Sequence, residues 1–211
     1  MAAQIVTIAM TTGADAETIG RLVAGRLGFQ HVSDEFIDGA ASKAGVSRET
    51  VAEVERSPSL ISRIMMALAS SAVAESAGPV TMEHVDASPS YQRLIQDVIR
   101  QTAAKGNVVI VAHGASILLA GTPGLLRVLV TGSPAIRARR LAAEARRDQA
   151  WAAKEIERTD GERRSFFRRL HGLDAELPTH YDLVVNTDVL SAGEAARIIA
   201  GAAGKGEAAG S

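Results

Sequence analysis

The chain of 211 residues has no cysteine, few aromatic residues and no long hydrophobic run. Without cysteine it forms no disulfide and has no thiolate nucleophile. Aromatic residues make up only 3% of the chain, too few for the stacking surfaces that bind single-stranded nucleic acids, and the pI is near 6.5. No apolar stretch approaches the roughly 20 residues that cross a bilayer. We therefore expect neither a nucleic-acid-binding module nor a membrane protein.

Proline is also scarce, at six residues, while 46% of the chain is hydrophobic, so the sequence has ample material for a core. The length suits one domain with an insertion, and we expect a single domain over residues 1–200. The first residues lack the basic segment of a signal peptide, which favours a cytoplasmic protein. The last residues, 201–211, are almost all small, and we expect a flexible tail there.

Short β-branched runs mark the expected strands. They are apolar on both faces, as strands of a buried parallel sheet are, and they comprise residues 5–8, 108–111, 128–130 and 183–185, with 30–32 as a shorter fifth run. Helical segments separate these runs, and residues 14–27 should form the first crossover helix. This alternation predicts an α/β fold of three layers, with one mostly parallel sheet between helices.

Residues 33–105 have helical patterns and no convincing strand, so we interpret them as a helical insertion in the domain. One helix in it, at 59–75, is apolar on more than one face. Such a helix is buried in the core, covers a dimer partner or lines a cleft. A homodimer through helix 59–75 is therefore one of three interpretations of this segment.

Basic residues are concentrated in one part of the chain. Eleven arginines and one lysine lie between residues 127 and 169, against six acidic residues, which gives this stretch a net charge of +6 in a chain whose total is −1. Arginine is a planar fork that matches phosphate oxygens two at a time. The stretch therefore predicts either a local site for an anionic ligand or a pair of solvated helices.

A glycine-containing segment follows the first expected strand and opens the first helix, which is where phosphate-binding loops lie. Gly13 would let backbone N–H groups approach a phosphate closely. Its neighbours Thr12 and Ala14, and Thr18 in the first helical turn, are the other candidate phosphate contacts.

The same segment lacks the lysine that such loops usually carry. Ala16 occupies the position we assign to that lysine, and Asp15 and Glu17 lie on either side of it. These two carboxylates repel a triphosphate, and they also suit an ordinary acidic helix start that satisfies its own N–H groups. Both interpretations of the loop remain open at this point.

Arginines follow a second expected strand at helical spacing. Ser133 is suited to cap a helix and Pro134 to occupy its first position. Because Arg137 and Arg140 are three residues apart, they share one face of this helix. Further along, Asp160 and Arg163 have the spacing to pair on a second helix. The region of about 134–172 is thus expected to be a pair of arginine-rich helices.

The order of these motifs resembles that of the cytidylate kinase-like family, within the P-loop nucleoside monophosphate kinases. The resemblance covers about residues 4–200 and rests on Ser133-Pro134-x-x-Arg137-x-x-Arg140, on Thr159-Asp160-x-x-Arg163 and on the ending Asp182…Asn186-Thr187-Asp188. Two further elements are similar to those of the family. They are an acidic element that includes Asp34 and a turn in which His113 replaces the usual arginine.

The resemblance implies phosphoryl transfer from ATP with Mg²⁺ to a nucleoside monophosphate or another small acceptor. It implies that Arg137, Arg140 and Arg163, on an arginine-bearing lid, neutralise the transferring phosphate. It further implies that Asp34 orients Mg²⁺ or the acceptor, and that His113 contacts a phosphate. The residues themselves suggest no separate metal site.

Two functions remain open after the sequence alone. One is an active small-molecule kinase, which the arginines favour. The other is a catalytically weak or inactive relative that binds a nucleotide or a partner protein and has a regulatory role, which Asp15, Ala16 and Glu17 favour.

Overall fold

The computed structural model describes residues 2–33, 89–112, 114–174 and 176–204. Five features expected from the sequence lie wholly or mostly outside these ranges: Asp34, His113, the helical insertion at 33–105, its helix 59–75 and the end of the tail, 205–211. Those expectations stay predictions.

Five strands form one parallel sheet, as the two-sided apolar runs predicted. The strands are β1 (Ile5–Met10), β2 (Gln30–Ser33), β3 (Val108–Val111), β4 (Leu125–Thr131) and β5 (Leu183–Asn186), in the spatial order β2-β3-β1-β4-β5. Strand β1 pairs in parallel with both β3 and β4, and β4 pairs in parallel with β5. The α/β class and the parallel sheet are therefore confirmed.

Helices separate the strands along the chain. They are α1 (Ala16–Leu27), α2 (Pro89–Ala104), α3 (Ala115–Leu118), α4 (Pro134–Ala145), α5 (Gln149–His171) and α6 (Ala192–Ala202), with a 3₁₀ turn at Pro178–His180. Helix α1 begins two residues later than predicted. Helix α6 continues into the segment expected to be a tail, where the Ala203 carbonyl accepts a hydrogen bond from the Ala3 N–H at 2.8 Å. Among the described residues, no helix is long and apolar enough to span a membrane.

The chain divides into two compact units, one formed by residues 1–31 with 107–211 and the other by residues 32–106. The first unit carries the glycine-containing loop and the arginine-rich helices. Within the second, α2 buries Leu94, Val98 and Ile99 along one side. The single domain expected over residues 1–200 stays a prediction.

An arginine–carboxylate pair fixes the beginning of β5 against β4. The Arg127 side chain donates to both oxygens of Asp182, from Nη2 at 2.6 Å and from Nε at 3.1 Å, and the Arg127 backbone N–H donates to the same carboxylate at 2.9 Å. These hydrogen bonds hold the pKa of Asp182 below its usual value. The pair lies at the amino end of β5, opposite the edge at which the loops of interest emerge.

The central strand β1 is buried along its whole length, with Val6, Ile8 and Ala9 fully enclosed. Helix α1 packs close to the sheet through Gly20. A Cβ atom built on Gly20 would lie 2.3 Å from Cγ2 of Val111 in β3. The absence of a side chain at position 20 therefore sets how closely α1 approaches β3.

We expect Gly20→Ala to lower the free energy of unfolding by about 1–3 kcal/mol, the usual cost of overpacking a core. Gly25→Ala is a matched control in the same helix, because nothing lies within 4 Å of a Cβ built there. This control should be stabilised by about 0.5–1 kcal/mol through its helix propensity. Urea unfolding followed by circular dichroism measures both, and equal effects of the two substitutions would contradict the close packing at Gly20.

Candidate functional site

Three chain segments meet at the carboxyl edge of the sheet, where parallel α/β folds usually bind ligands. They are the glycine loop (residues 11–15) after β1, residues 132–133 after β4 and residues 187–188 after β5. Hydrogen bonds connect all three. The Thr187 hydroxyl, for example, lies 3.3 Å from the Ala14 carbonyl oxygen and 3.1 Å from that of Thr131.

The glycine loop turns sharply and then enters α1. Gly13 has φ +77° and Asp15 has φ +64°, both in the left-handed region. Between them Ala14 is fully buried, and its N–H donates to the Thr11 carbonyl at 3.1 Å. A Cβ atom on Gly13 would lie 2.6 Å from the Arg137 carbonyl oxygen, so position 13 requires glycine both for its backbone angle and for space.

Asp15 does not cap α1 in the way that an ordinary acidic helix start would. It is the N-cap residue, but its side chain makes no capping hydrogen bond. The Glu17 carboxylate lies 3.6 Å from Nη1 of Arg21 and 3.5 Å from Nε2 of His31. The Asp15 side chain therefore does not compete with a ligand for the first-turn amide groups of α1.

Ala16 is 2% exposed in the first turn of α1. Its assignment to the place of the phosphate-binding lysine stays a prediction. Thr18, which we predicted to contact phosphate, is half-buried in the first turn of α1, where its hydroxyl accepts a long hydrogen bond of 3.4 Å from Arg21.

Arg137 is the most extensively hydrogen-bonded of the three predicted arginines. Its Nε donates to the Gly132 carbonyl at 2.9 Å, and Nη1 donates to the Thr12 carbonyl at 3.2 Å. Its Nη1 and Nη2 also donate to the two carboxylate oxygens of Asp160, at 2.9 and 2.7 Å. Because Arg137 is 4% exposed, this guanidinium acts as an internal strut between the glycine loop, the end of β4 and α5.

This geometry corrects one expectation. Asp160 does not pair with Arg163, as its spacing on the helix suggested, but with Arg137 on the neighbouring helix. Helices α4 and α5 pack on each other around Ala138, Ile156 and Ala152, which brings Arg137 and Asp160 together. Helical spacing shows only which side chains share a face, and a partner on another helix can compete for one of them.

Arg140 is engaged with the segment after β5. Its Nη1 donates to the Thr187 hydroxyl at 2.8 Å, and its Nη2 donates to the Thr187 carbonyl. Nearby, the Ser133 N–H donates to the Asp188 carboxylate at 2.7 Å. Arg140 thus lies at the loop-bearing edge of the sheet, one helical turn beyond Arg137, and it is partly exposed.

Arg163 is buried beside a different carboxylate. Its Nε and Nη2 donate to the two oxygens of Glu176, at 2.7 and 2.6 Å. The Tyr181 hydroxyl also donates to Glu176, and the Phe167 ring centroid lies 4.9 Å from Cζ of Arg163. Burial and the charge of Glu176 raise the pKa of Tyr181, which keeps this hydroxyl protonated as a donor.

The turn after β3 contacts the last turns of α5. Gly114 has φ +81°, and a Cβ atom there would lie 2.8 Å from Nε2 of His171 and 3.2 Å from the ring of Phe166. Burial lowers the pKa of His171. Helix α5 therefore reaches the glycine loop through Asp160 and Arg137, and the turn after β3 through His171.

Several residues that bond the predicted arginines or their neighbours were not predicted as site residues. Thr187 and Asp188 were quoted only as part of a family motif, and neither Glu176 nor Tyr181 was identified. The position of Thr187 and Asp188 directly after a buried strand could have indicated them. Glu176 follows a helix and has no pattern around it, so only the folded structure reveals its contact with Arg163.

Within the described ranges, no group of three or more histidine, aspartate and glutamate side chains could hold a metal ion. The roles predicted for Arg137, Arg140, Arg163 and Asp34 in catalysis stay predictions, as do those of Gly13, Thr12, Ala14, Thr18 and His113 in binding.

The chain is similar to known proteins in sequence and in structure. Residues 5–189 match the sequence model described as the cytidylate kinase-like family. A search of curated protein sequences finds no significant match. An uncharacterized protein from Eubacterium ventriosum has a similar structure, with a TM-score of 0.65 at 14% identity, covering 95% of this chain and 98% of that one. Shikimate kinase from Bacteroides thetaiotaomicron is similar with a TM-score of 0.53 at 13% identity, covering 95% and 96%.

We expect Arg137→Ala to lower the free energy of unfolding by about 3–5 kcal/mol, because it leaves Asp160 and two carbonyl groups without their partner. Arg139→Ala is the matched control, since Arg139 is exposed on the same helix. This control should change stability by less than about 0.5 kcal/mol. Urea unfolding measures both values, and a loss of under 1 kcal/mol in Arg137→Ala would show that the strut is dispensable.

His31 should make stability depend on pH. Burial, and then the charge of Arg21, lower its pKa from 6.5 to about 4, although the nearby Glu17 carboxylate works in the opposite direction. Below pH 6.5 the unfolded chain therefore takes up a proton that the folded protein resists. Stability should be complete above pH 6.5 and fall as the pH drops towards 4.

Replacing His31 with glutamine removes this titration. The decrease in Tm between pH 7 and pH 5 should be smaller in His31→Gln than in the unmodified protein, by differential scanning fluorimetry in matched buffers. Equal decreases in the two proteins would show that His31 is not the group responsible.

Proposed function

Because the chain belongs to the cytidylate kinase-like family, we propose that it binds a nucleotide and transfers a phosphate from ATP to a nucleoside monophosphate or another small acceptor. One observation carries this proposal. The glycine loop lies at the carboxyl end of the central strand β1, and the N-cap side chain of the following helix leaves the first-turn amide groups uncapped. Backbone N–H groups and a positive helix end together favour a phosphate.

In this proposal the loop backbone holds phosphate oxygens, and Arg137 acts from behind it. The hydrogen bond from Arg137 to the Thr12 carbonyl and the contact between its own carbonyl oxygen and Gly13 fix the shape of the loop. A fixed array of donors stabilises a transferring phosphoryl group without reorganisation during the reaction. Arg137 is thus assigned to positioning the loop.

Positive charge would come from arginines of α4 and α5. Arg140, on α4, is partly exposed at the carboxyl edge of the sheet, and Arg163 lies on α5. Such kinases generally use ATP as its Mg²⁺ complex, and the ion supplies further charge neutralisation when bound. Asp34 is the residue that would orient the ion or the acceptor.

The alternative is a weak or inactive kinase-like protein with a nucleotide-sensing, regulatory or protein-binding role. The loop itself favours this alternative. It carries no lysine, Ala16 is buried, and the exposed carboxylate of Asp15 lies at the helix start where a triphosphate needs positive potential. In this case nucleotide binding would persist without turnover.

Calorimetric titration with ATP, with and without Mg²⁺, and with CMP tests the proposal, together with an assay of phosphate transfer to CMP. We expect ATP to bind more weakly than in a kinase with an intact lysine-bearing loop. Asp15→Asn should strengthen ATP binding by about two- to fivefold, because it removes an exposed like charge near the phosphates, worth about 1 kcal/mol in water. Asparagine also tolerates the left-handed backbone of position 15.

Glu144→Gln is the matched control, because it removes one exposed carboxylate near the far end of α4 and should leave ATP affinity unchanged. Binding of ATP and CMP with transfer supports the kinase, whereas binding without transfer supports the alternative. If Asp15→Asn and Glu144→Gln behave alike, or if neither nucleotide binds, the loop is not the phosphate site.

A further inference from the structure

Arg163 has an incomplete set of hydrogen bonds in a buried setting. Glu176 accepts hydrogen bonds from Nε and Nη2 on one side of the guanidinium group. The Arg163 side chain is 7% exposed and that of Glu176 is 16% exposed. Nη1 is buried and finds no hydrogen-bond partner among the described residues. A buried donor left unpaired is destabilising, so this nitrogen is suited to donate to an oxygen that the described residues do not supply.

The contrast with Arg137 is informative. Arg137 is equally buried, but it donates to a carboxylate and to two backbone carbonyl groups, and each of its three nitrogens has a partner. The side of the Arg163 guanidinium formed by Nη1 and Nη2 can still donate hydrogen bonds to a pair of oxygen atoms. Phosphate and carboxylate groups have that geometry.

Helix α5 contacts two loops at the carboxyl edge of the sheet, and Arg163 lies on the helix between these contacts. Asp160, one turn earlier, bonds Arg137 and through it the glycine loop. His171, two turns later, contacts the turn at Gly114. Nη1 itself is buried, so binding of a ligand oxygen to it would require the surrounding side chains to rearrange.

Glu176 and Tyr181 are arranged to hold this arginine in place. The Tyr181 hydroxyl donates to the same Glu176 oxygen that accepts from Nη2, so the carboxylate is itself fixed from a second side. Tyr181 is buried and immediately precedes the Arg127–Asp182 pair, which anchors the backbone there. Because both side chains are largely buried, removing either one would leave the other charge without its counterion.

We propose that Glu176 and Tyr181 are positioning residues that hold Arg163 with its Nη1 face directed to an anionic oxygen of the ligand. This inference rests on the proposed function, because it takes a phosphate of the bound nucleotide as that anion. Neither residue touches the ligand. Their role is to keep the guanidinium oriented and its charge within reach.

The test compares Glu176→Gln and Tyr181→Phe with the unmodified protein, using pyrophosphate and CMP as separate calorimetric probes. Glutamine keeps the shape of Glu176 but cannot accept from both Nε and Nη2, so the guanidinium should rotate. We expect pyrophosphate affinity to fall by about 10- to 100-fold in Glu176→Gln, the effect of losing one charged hydrogen bond. The loss in Tyr181→Phe should be smaller, since Glu176 stays charged.

Asp182→Asn is the matched control, because it breaks another two-pronged arginine–carboxylate pair one residue from Tyr181. It should leave pyrophosphate affinity unchanged while altering Tm. In the unmodified protein, pyrophosphate should also shift the Nε–H resonance of Arg163 in NMR spectra, which a purely structural arginine would not show. If Glu176→Gln fails to fold, Tyr181→Phe and this resonance decide the question.

Unchanged affinity in the folded variants overturns the proposal, and so does a gain in affinity, which would make Glu176 a competitor for Arg163. Absence of pyrophosphate binding to the unmodified protein overturns it as well. A further outcome is that pyrophosphate binds the unmodified protein and loses affinity in the variants as expected, while CMP does not bind. In that outcome the positioning role stands and the proposed nucleotide acceptor fails. The two conclusions are therefore tested separately.

Discussion

The bond between Arg137 and Asp160 is the interaction on which the arrangement of the carboxyl edge of the sheet depends. Its arginine is buried, its carboxylate is partly exposed, and the same guanidinium also donates to the carbonyl groups of Gly132 and Thr12. One side chain thereby connects the glycine loop, the end of β4 and helix α5. If it were released, a carboxylate and two carbonyl groups would lose their donor, so the loop and the helix are energetically coupled.

The concentration of arginine between residues 127 and 169 now has two explanations. Arg127, Arg137 and Arg163 each meet a carboxylate in a two-pronged pair, and for Arg127 and Arg163 that carboxylate lies beyond residue 169. The net charge of the stretch therefore overstates the charge available to a ligand, because acids elsewhere in the chain neutralise part of it. Composition identified where the guanidinium groups are, but their free faces follow only from the fold.

The sheet was predictable because two-sided apolar runs such as 108–111 have few alternatives to a buried parallel strand. The helix start at Pro134 was predictable because proline is favoured at the first position of a helix. The partner of Asp160 was not, since Arg163 and Arg137 both suit it and the choice depends on how α4 packs on α5. Glu176 was missed because no local pattern precedes it. Side chains paired across distant segments are determined by packing, which a single sequence does not display.

The different surroundings of the three arginines would limit the chemistry of the proposed reaction. Arg137 already supports the glycine loop, so in that proposal the charge for a transferring phosphoryl group would come from other arginines. Arg140 is partly exposed and bonds a hydroxyl and a carbonyl group, so a phosphate that replaced these partners would leave no buried charge unpaired. Arg163 would keep its carboxylate and meet an anion through its remaining N–H groups. The proposal thus assigns one arginine to the shape of the loop and two to the anion.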